Sequence, residues 1–146
     1  IAGGEVLANH RTEDAAFSFS EVKIGVIPAV ISVVCLPKLG THHGMKLFLT
    51  GERFSGTQAV AMGLADIAVP AAGLMAAVQH EIKAINAGGP LAVAECKRLV
   101  RRIPTLARDE AFAEATTWST RMFLSPEAAE GMAAFREKRK PNWVQD

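Results

Sequence analysis

The stretch FSFSEVKIGVIPAVI, residues 17–31, places one carboxylate, Glu21, between two aromatic residues and a glycine–proline turn. Alternating bulky and polar side chains predict a strand over residues 15–22, with Phe17, Phe19 and Glu21 on one face. A carboxylate desolvated by apolar neighbours holds its proton more readily, since burial disfavours its charged form. Such a group suits proton transfer near neutral pH. Glu21 is therefore the first candidate catalytic residue; the alternative is a solvated glutamate at a strand end.

Composition and charge are typical of a globular protein. Nearly half of the 146 residues are apolar and the net charge is +1, which predicts one core and gives no reason to expect nucleic acid as a partner. The sequence contains no apolar run of membrane-spanning length, and residues 1–14 lack the pattern of a signal peptide. Cys35 and Cys96 lack metal-ligand spacing, so we expect reduced thiols and a cytoplasmic location.

Three short helices and a strand are predicted after residue 22. These elements cover residues 28–39, 41–49, 56–62 and 66–69. Gly40 separates the first two helices, and Gly63 is placed to end the third in the left-handed conformation. No strand is predicted in the polar run at residues 9–14.

Beyond Pro70, apolar residues recur at helical spacing in four segments, punctuated by glycine and proline. The last helix is predicted to start at Ser125-Pro126, an N-cap followed by a first helical position. The third and fourth stripes include Phe112, Phe123 and Phe135. The pattern alone favours a core for such stripes, and the alternative is a surface that packs on neighbouring subunits. The layout is an α/β core at residues 1–70 followed by a helical region at residues 71–146.

Three segments in a fixed order carry a resemblance to a known family. They are residues 17–31, LTGERFSGTQAVAMGLAD at residues 49–66 and EGMAAFREKRKPNW at residues 130–143. Together they resemble the enoyl-CoA hydratase/isomerase family, the crotonase superfamily, and bacterial enoyl-CoA hydratases in particular. The resemblance implies a crotonase-like α/β fold, here a truncated core with a C-terminal helical oligomerisation region. Because family members run to roughly 250 residues or more, we expect the chain to correspond to their second half.

The resemblance implies an acyl-CoA thioester substrate and two catalytic glutamates. Glu21 matches the second glutamate, in the family pattern F-x-x-x-E-x-x-x-G. In residues 2–8, AGGEVLA, Gly3 matches an oxyanion-hole amide. Glu5 reaches the position of the first glutamate if one residue is deleted, whereas Val6 lies there without a gap.

The family's final helix implies two further substrate-binding residues. Phe135 corresponds to a residue lining the acyl pocket, and Lys138 to basic residues near the CoA phosphates. The resemblance also implies a homotrimer or a dimer of trimers. The chain lacks phosphate-binding and dinucleotide fingerprints, and His42-His43 is interpreted as a surface pair. We therefore predict neither a cofactor nor a metal.

Three functions are open at this point. The first is an enoyl-CoA hydratase, which adds water to trans-2-enoyl-CoA using Glu21, Glu5 and the Gly3 amide. The second is an enoyl-CoA isomerase with Glu21 as its sole base, an interpretation favoured by Val6. The third is a non-catalytic family remnant or assembly subunit that keeps the helical region.

Overall fold

Four short strands and six α-helices form the described part of the chain, residues 10–144 of a computed structural model. The strands are β1 His10–Thr12, β2 Ala16–Phe17, β3 Phe54–Ser55 and β4 Ile67–Val69. The helices are α1 Ala29–Thr50, α2 Gly56–Ala61, α3 Leu74–Asn86, α4 Pro90–Arg102, α5 Arg108–Phe123 and α6 Pro126–Glu137. The described backbone groups into two compact units that divide between Glu81 and Ile82.

The strands of the first unit pair in two separate ribbons. β1 is parallel to β4, with Arg11 opposite Ala68, and β2 is antiparallel to β3, with Phe17 opposite Phe54. The prediction that residues 9–14 contain no strand is therefore wrong. Strand pairing is made by backbone amides and carbonyls, so polar side chains do not prevent it.

The strand predicted over residues 15–22 is also wrong beyond Phe17. β2 ends there, and a 3₁₀ helix, Ser20–Ile24, follows it. Gly25 ends this helix in the left-handed region, with φ of 80°, and its amide donates to the Val22 carbonyl at 3.2 Å. Glycine adopts that conformation without a side-chain clash, so the chain turns after Glu21 instead of remaining extended.

The predicted helix boundaries in the first unit are confirmed. α1 is interrupted at Gly40, where φ is 66° and ψ is 171°. α2 begins with a capping box, in which the Gln58 amide donates to the Ser55 hydroxyl at 3.2 Å and the Ser55 amide donates to the Gln58 side chain at 2.8 Å. Gly63 follows α2 with φ of 77°.

The core of the first unit is small and rich in aromatic rings. Its buried residues are Phe19, Cys35, Leu39, Leu47, Phe54, Ala59 and Ala65. The Phe19 ring packs against Phe48 at 4.4 Å between centroids and against Phe54 at 5.9 Å. This packing fixes the segment that precedes Glu21.

The second unit contains α4, α5 and α6. Ser125 caps α6 as predicted, since its hydroxyl accepts the Ala128 amide at 3.1 Å. The core interpretation of these stripes does not hold within the single chain, where Phe112, Phe123 and Phe135 are 63%, 67% and 88% exposed. Helical spacing places a residue on one face of a helix, but it does not supply the surface that covers this face.

Candidate active site

A cavity of about 740 Å³ opens in the first unit around Glu21. Most of its wall is apolar and includes Phe17, Phe19, Phe54, Ile31, Val34 and Cys35. Three charged side chains also line it, the carboxylate of Glu21 and the cations of Arg11 and Lys38. An apolar concavity with a few polar groups is the usual form of a small-molecule site.

Glu21 is half-buried on the first turn of the 3₁₀ helix Ser20–Ile24. The amide of Val26 donates to the Glu21 backbone carbonyl at 3.2 Å, which closes the turn behind the side chain. The predicted grouping of Glu21 with Phe17 and Phe19 is confirmed, since all three line the same cavity. The reason given for it was wrong, because a strand would place Ser18 on the opposite face, yet Ser18 lines the cavity too.

Stacked aromatic rings hold one wall of the cavity. The rings of Phe17 and Phe54, paired across β2 and β3, lie 5.5 Å apart with 22° between their planes. The Ser18 hydroxyl donates to the Gly51 carbonyl at 3.0 Å and so ties this segment to the end of α1. Stacked aromatic pairs add to the stabilisation from burial, so these contacts stabilise this wall of the cavity.

A second wall is one face of α1. Ile31, Val34, Cys35 and Lys38 follow the i, i+3, i+4, i+7 pattern that puts residues on the same side of a helix. Burial raises the pKa of the Cys35 thiol, and the nearby Lys38 ammonium opposes that rise. Lys38 and Arg11 also line the cavity and were not predicted from the sequence. The helical spacing from Ile31 to Lys38 was the signal that could have found Lys38.

The other predicted site residues are not among the described residues that line this cavity. Gly3 and Glu5 lie outside the described residues. Phe135 is on α6, and Lys138 follows α6 with φ of 55°; both belong to the second unit. Among the predicted site residues, Glu21 is thus the one found in the described lining of the cavity.

The histidine pair is near the middle of α1. The rings of His42 and His43 are 5.1 Å apart and edge to face. Within residues 10–144, no cluster of three or more histidine, cysteine, aspartate or glutamate side chains is arranged to hold a metal ion. Over the same residues, none of the helices combines the length and apolar character needed to cross a membrane.

The arrangement in the cavity can support proton transfer on an apolar substrate. A half-buried carboxylate can give a proton to a carbon or oxygen atom held against the wall, or remove one from it. The aromatic and aliphatic wall offers a hydrocarbon chain a surface on which to leave water.

Comparison with known proteins gives one consistent family. Residues 3–146 match the family model described as enoyl-CoA hydratase/isomerase. Enoyl-CoA hydratase EchA19 of Mycobacterium tuberculosis is 36% identical, over 98% of this chain and 56% of that protein. The peroxisomal Delta(3,5)-Delta(2,4)-dienoyl-CoA isomerase of Arabidopsis thaliana is 30% identical, over 91% of this chain and 49% of that protein.

Solved structures agree with this family. An enoyl-CoA hydratase from Mycobacterium smegmatis superposes with a TM-score of 0.84 at 30% identity, over 92% of this chain and 52% of that chain. The prediction of a crotonase-like α/β fold is therefore confirmed. The chain spans about half the length of the relatives that it matches.

Proposed function

The chain belongs to the enoyl-CoA hydratase/isomerase family, and we propose that its cavity binds a trans-2-enoyl-CoA thioester with Glu21 as a proton-transferring group. The observation that carries the proposal is the half-buried carboxylate of Glu21 on the wall of an otherwise largely apolar cavity. The apolar wall fits the enoyl chain, and the carboxylate lies where a proton can be exchanged with it.

Hydration is the reaction that we favour. Water adds across the double bond, its oxygen to the β-carbon and a proton to the α-carbon, so the product gains one water. In this proposal Glu21 handles one of the two proton transfers and Glu5 the other, while the Gly3 amide binds the thioester oxygen. An amide donor stabilises the negative charge that develops on this oxygen during addition.

Isomerisation is the second candidate. One base can remove a proton from one carbon and return it to another, which moves the double bond without adding water. Two observations favour it: Glu21 is the carboxylate that lines the described cavity, and the ungapped register puts Val6 at the position of the first glutamate. A 30% identical relative is named as a dienoyl-CoA isomerase.

The test is turnover of crotonyl-CoA and of a 3-enoyl-CoA by the 146-residue chain, followed by product mass. We expect the crotonyl-CoA product to gain the mass of one water, and Glu21→Gln to lower the rate by about 10²–10⁴-fold, the usual contribution of a general acid or base. Glu13→Gln is the matched control, because Glu13 is exposed and is absent from the cavity wall.

Each other outcome has a distinct meaning. Conversion of the 3-enoyl-CoA without gain of water would replace hydration by isomerisation. A chain that is folded by circular dichroism but turns over neither substrate would refute the enzymatic proposal and favour the non-catalytic assembly subunit. A rate unchanged in Glu21→Gln would remove Glu21 from the mechanism.

Assembly and location are part of the proposal. We propose a homotrimer or a dimer of trimers, supported by the exposed apolar side chains of Phe123, Leu124 and Phe135 in the second unit. Light scattering after size-exclusion chromatography tests this, and a monomer at micromolar concentration would contradict it. We also propose a cytoplasmic location, supported by the free thiols of Cys35 and Cys96.

A further inference from the structure

The segment that carries Glu21 packs closely against a buried glycine at the end of α1. Gly51 follows α1 with φ of 54°, and its amide donates to the Leu47 carbonyl at 3.0 Å. A Cβ atom added to Gly51 would lie 3.2 Å from the Phe19 carbonyl oxygen and 3.2 Å from a methyl group of Val22. The lack of a side chain at Gly51 therefore lets the two segments approach each other closely.

One side-chain hydrogen bond also joins these two segments. The Ser18 hydroxyl donates to the Gly51 carbonyl at 3.0 Å, across 33 residues of sequence. Ser18 precedes Glu21 in the chain, and Val22 follows it. Because both of them meet Gly51, the short 3₁₀ helix that holds Glu21 is attached to the end of α1 on both sides of the carboxylate.

This junction determines where the Glu21 carboxylate lies relative to the apolar wall of the cavity. Phe54 follows Gly51 by three residues, lines the cavity and stacks on Phe17. Gly51 thus connects the segment that supplies the carboxylate with a segment that supplies part of the wall. Proton transfer needs the carboxylate close to the reacting atom, and a displacement of about 1 Å can lower a rate by about 10²-fold.

We propose that Ser18 is a positioning residue whose hydrogen bond to Gly51 holds the Glu21 carboxylate within reach of a thioester bound against the apolar wall. This proposal deepens the proposed function and rests on it, since it concerns how the same cavity presents its proton-transferring group. Ser18 transfers no proton itself and acts through the backbone of the turn.

Amide hydrogen exchange followed by mass spectrometry tests the positioning without a substrate. The turn contains two hydrogen-bonded amides, Gly25 to the Val22 carbonyl and Val26 to the Glu21 carbonyl, both at 3.2 Å. We expect Ser18→Ala to speed their exchange by about three- to tenfold, the factor that one lost neutral hydrogen bond provides. Ser18→Thr keeps a hydroxyl and should restore slow exchange.

Ser32→Ala is the matched control for both measurements. It also removes a serine hydroxyl that donates to a backbone carbonyl, that of Ala29 at 2.6 Å. Ser32 lies on α1 and is not among the described residues that line the cavity. Its variant should exchange and turn over as the wild type does.

Turnover of crotonyl-CoA tests the consequence for the reaction. We expect Ser18→Ala to lower kcat by about tenfold and to change KM by less than about twofold, because a displaced carboxylate weakens the transition state and not the binding of the acyl chain. Ser18→Thr should recover most of kcat. Because Ser18 also lines the cavity, a second variant must act on the junction from its other side.

Gly51→Ala is that variant, since Gly51 is not among the described lining residues. The added atom would push against the Phe19 carbonyl and Val22, so kcat should fall here as well. The double variant should lose less than the product of the two single losses, because both act on one contact. Circular dichroism verifies that each variant is folded.

Four results would overturn the proposal. Exchange of the two amides in Ser18→Ala at the wild-type rate would show that the hydrogen bond does not hold the turn. A higher KM with an unchanged kcat would make Ser18 a direct substrate contact. Independent losses in the double variant would mean that Ser18 and Gly51 act separately. A wild type that turns over no substrate would overturn the proposed function, and this inference with it.

Discussion

The carboxylate of Glu95 ties α4 to α5, and replacing it with alanine measures how much this junction stabilises the second unit. Glu95 is 8% exposed. The Trp118 indole donates to Oε2 at 2.7 Å, Arg121 donates to Oε2 at 3.0 Å, and Arg98 donates to Oε1 at 2.7 Å. Trp118 and Arg121 lie on α5, so one side chain of α4 satisfies two donors of its neighbour.

The expected loss follows from these contacts. A hydrogen bond to a charged acceptor contributes about 1.5–3 kcal/mol, and here the indole would be left without its acceptor. The side chains of Arg98 and Arg121 are 72% and 66% exposed, so each ion pair contributes at most about 1 kcal/mol. We therefore expect Glu95→Ala to lower the free energy of unfolding by about 2–4 kcal/mol. Glu95→Gln retains one acceptor oxygen and should cost about half as much.

Tryptophan fluorescence during urea unfolding is the appropriate assay. The chain has two tryptophans, Trp118 and Trp143, and both lie in the second unit, so the signal reports on that unit. Glu110→Gln is the matched control. Glu110 lines the same surface cleft as Glu95 but is exposed, so its loss should change stability by no more than about 0.5 kcal/mol.

A Glu95→Ala variant as stable as the control would refute the reasoning. It would mean that Trp118 and the two arginines exchange the carboxylate for water without loss. The junction between α4 and α5 would then depend on apolar packing alone.

Three other contacts give separate predictions. Hydrogen bonds from Arg139 and the Asn142 amide lower the pKa of Glu130 to about 2. Because the pKa of Glu130 is lower in the folded state, its ionised carboxylate stabilises the protein at pH values above the ordinary pKa of 4.5. This contribution is lost as the pH falls towards about 2. The urea midpoints of wild type and Glu130→Gln should therefore converge over that range, and a constant difference would contradict this. A Cβ atom on Gly56 would overlap the Thr12 carbonyl, so Gly56→Ala should cost about 1–3 kcal/mol in thermal unfolding followed by circular dichroism. Gly73→Ala, where the added atom has ordinary contacts, is the control, and equal melting temperatures would contradict the overlap. The Glu127 carboxylate accepts the first two amides after Pro90 at 2.8 and 2.7 Å, so Glu127→Ala should lower stability by about 1–2 kcal/mol by tryptophan fluorescence. No loss there would show that water replaces this cap of α4.

Local signals in the sequence predicted the helix boundaries well. The break at Gly40, the start of α2 at Ser55 and the start of α6 at Ser125 each depend on residues within one turn of the boundary. A glycine with positive φ or a hydroxyl that caps an amide acts over that distance, so its effect is visible in a short window of sequence.

Features that depend on distant residues were missed. β1 lies in a polar run and becomes a strand because it pairs with β4, more than fifty residues later. Glu95 is buried, and Trp118, 23 residues away, donates a hydrogen bond to it. The exposure of Phe135 could not be predicted either, because an apolar stripe indicates a contact surface but does not identify what packs against it. Neither pairing nor burial of this type can be inferred from spacing within one segment.

The cavity shows why its carboxylate was easier to predict than the cations that line it. Glu21 and its aromatic neighbours lie within five residues of one another. Their grouping was therefore predicted correctly although the segment is a 3₁₀ helix and not the predicted strand. Lys38 reaches the same cavity from α1. Its position in the cavity depends on tertiary packing, which the spacing of residues within one segment does not determine.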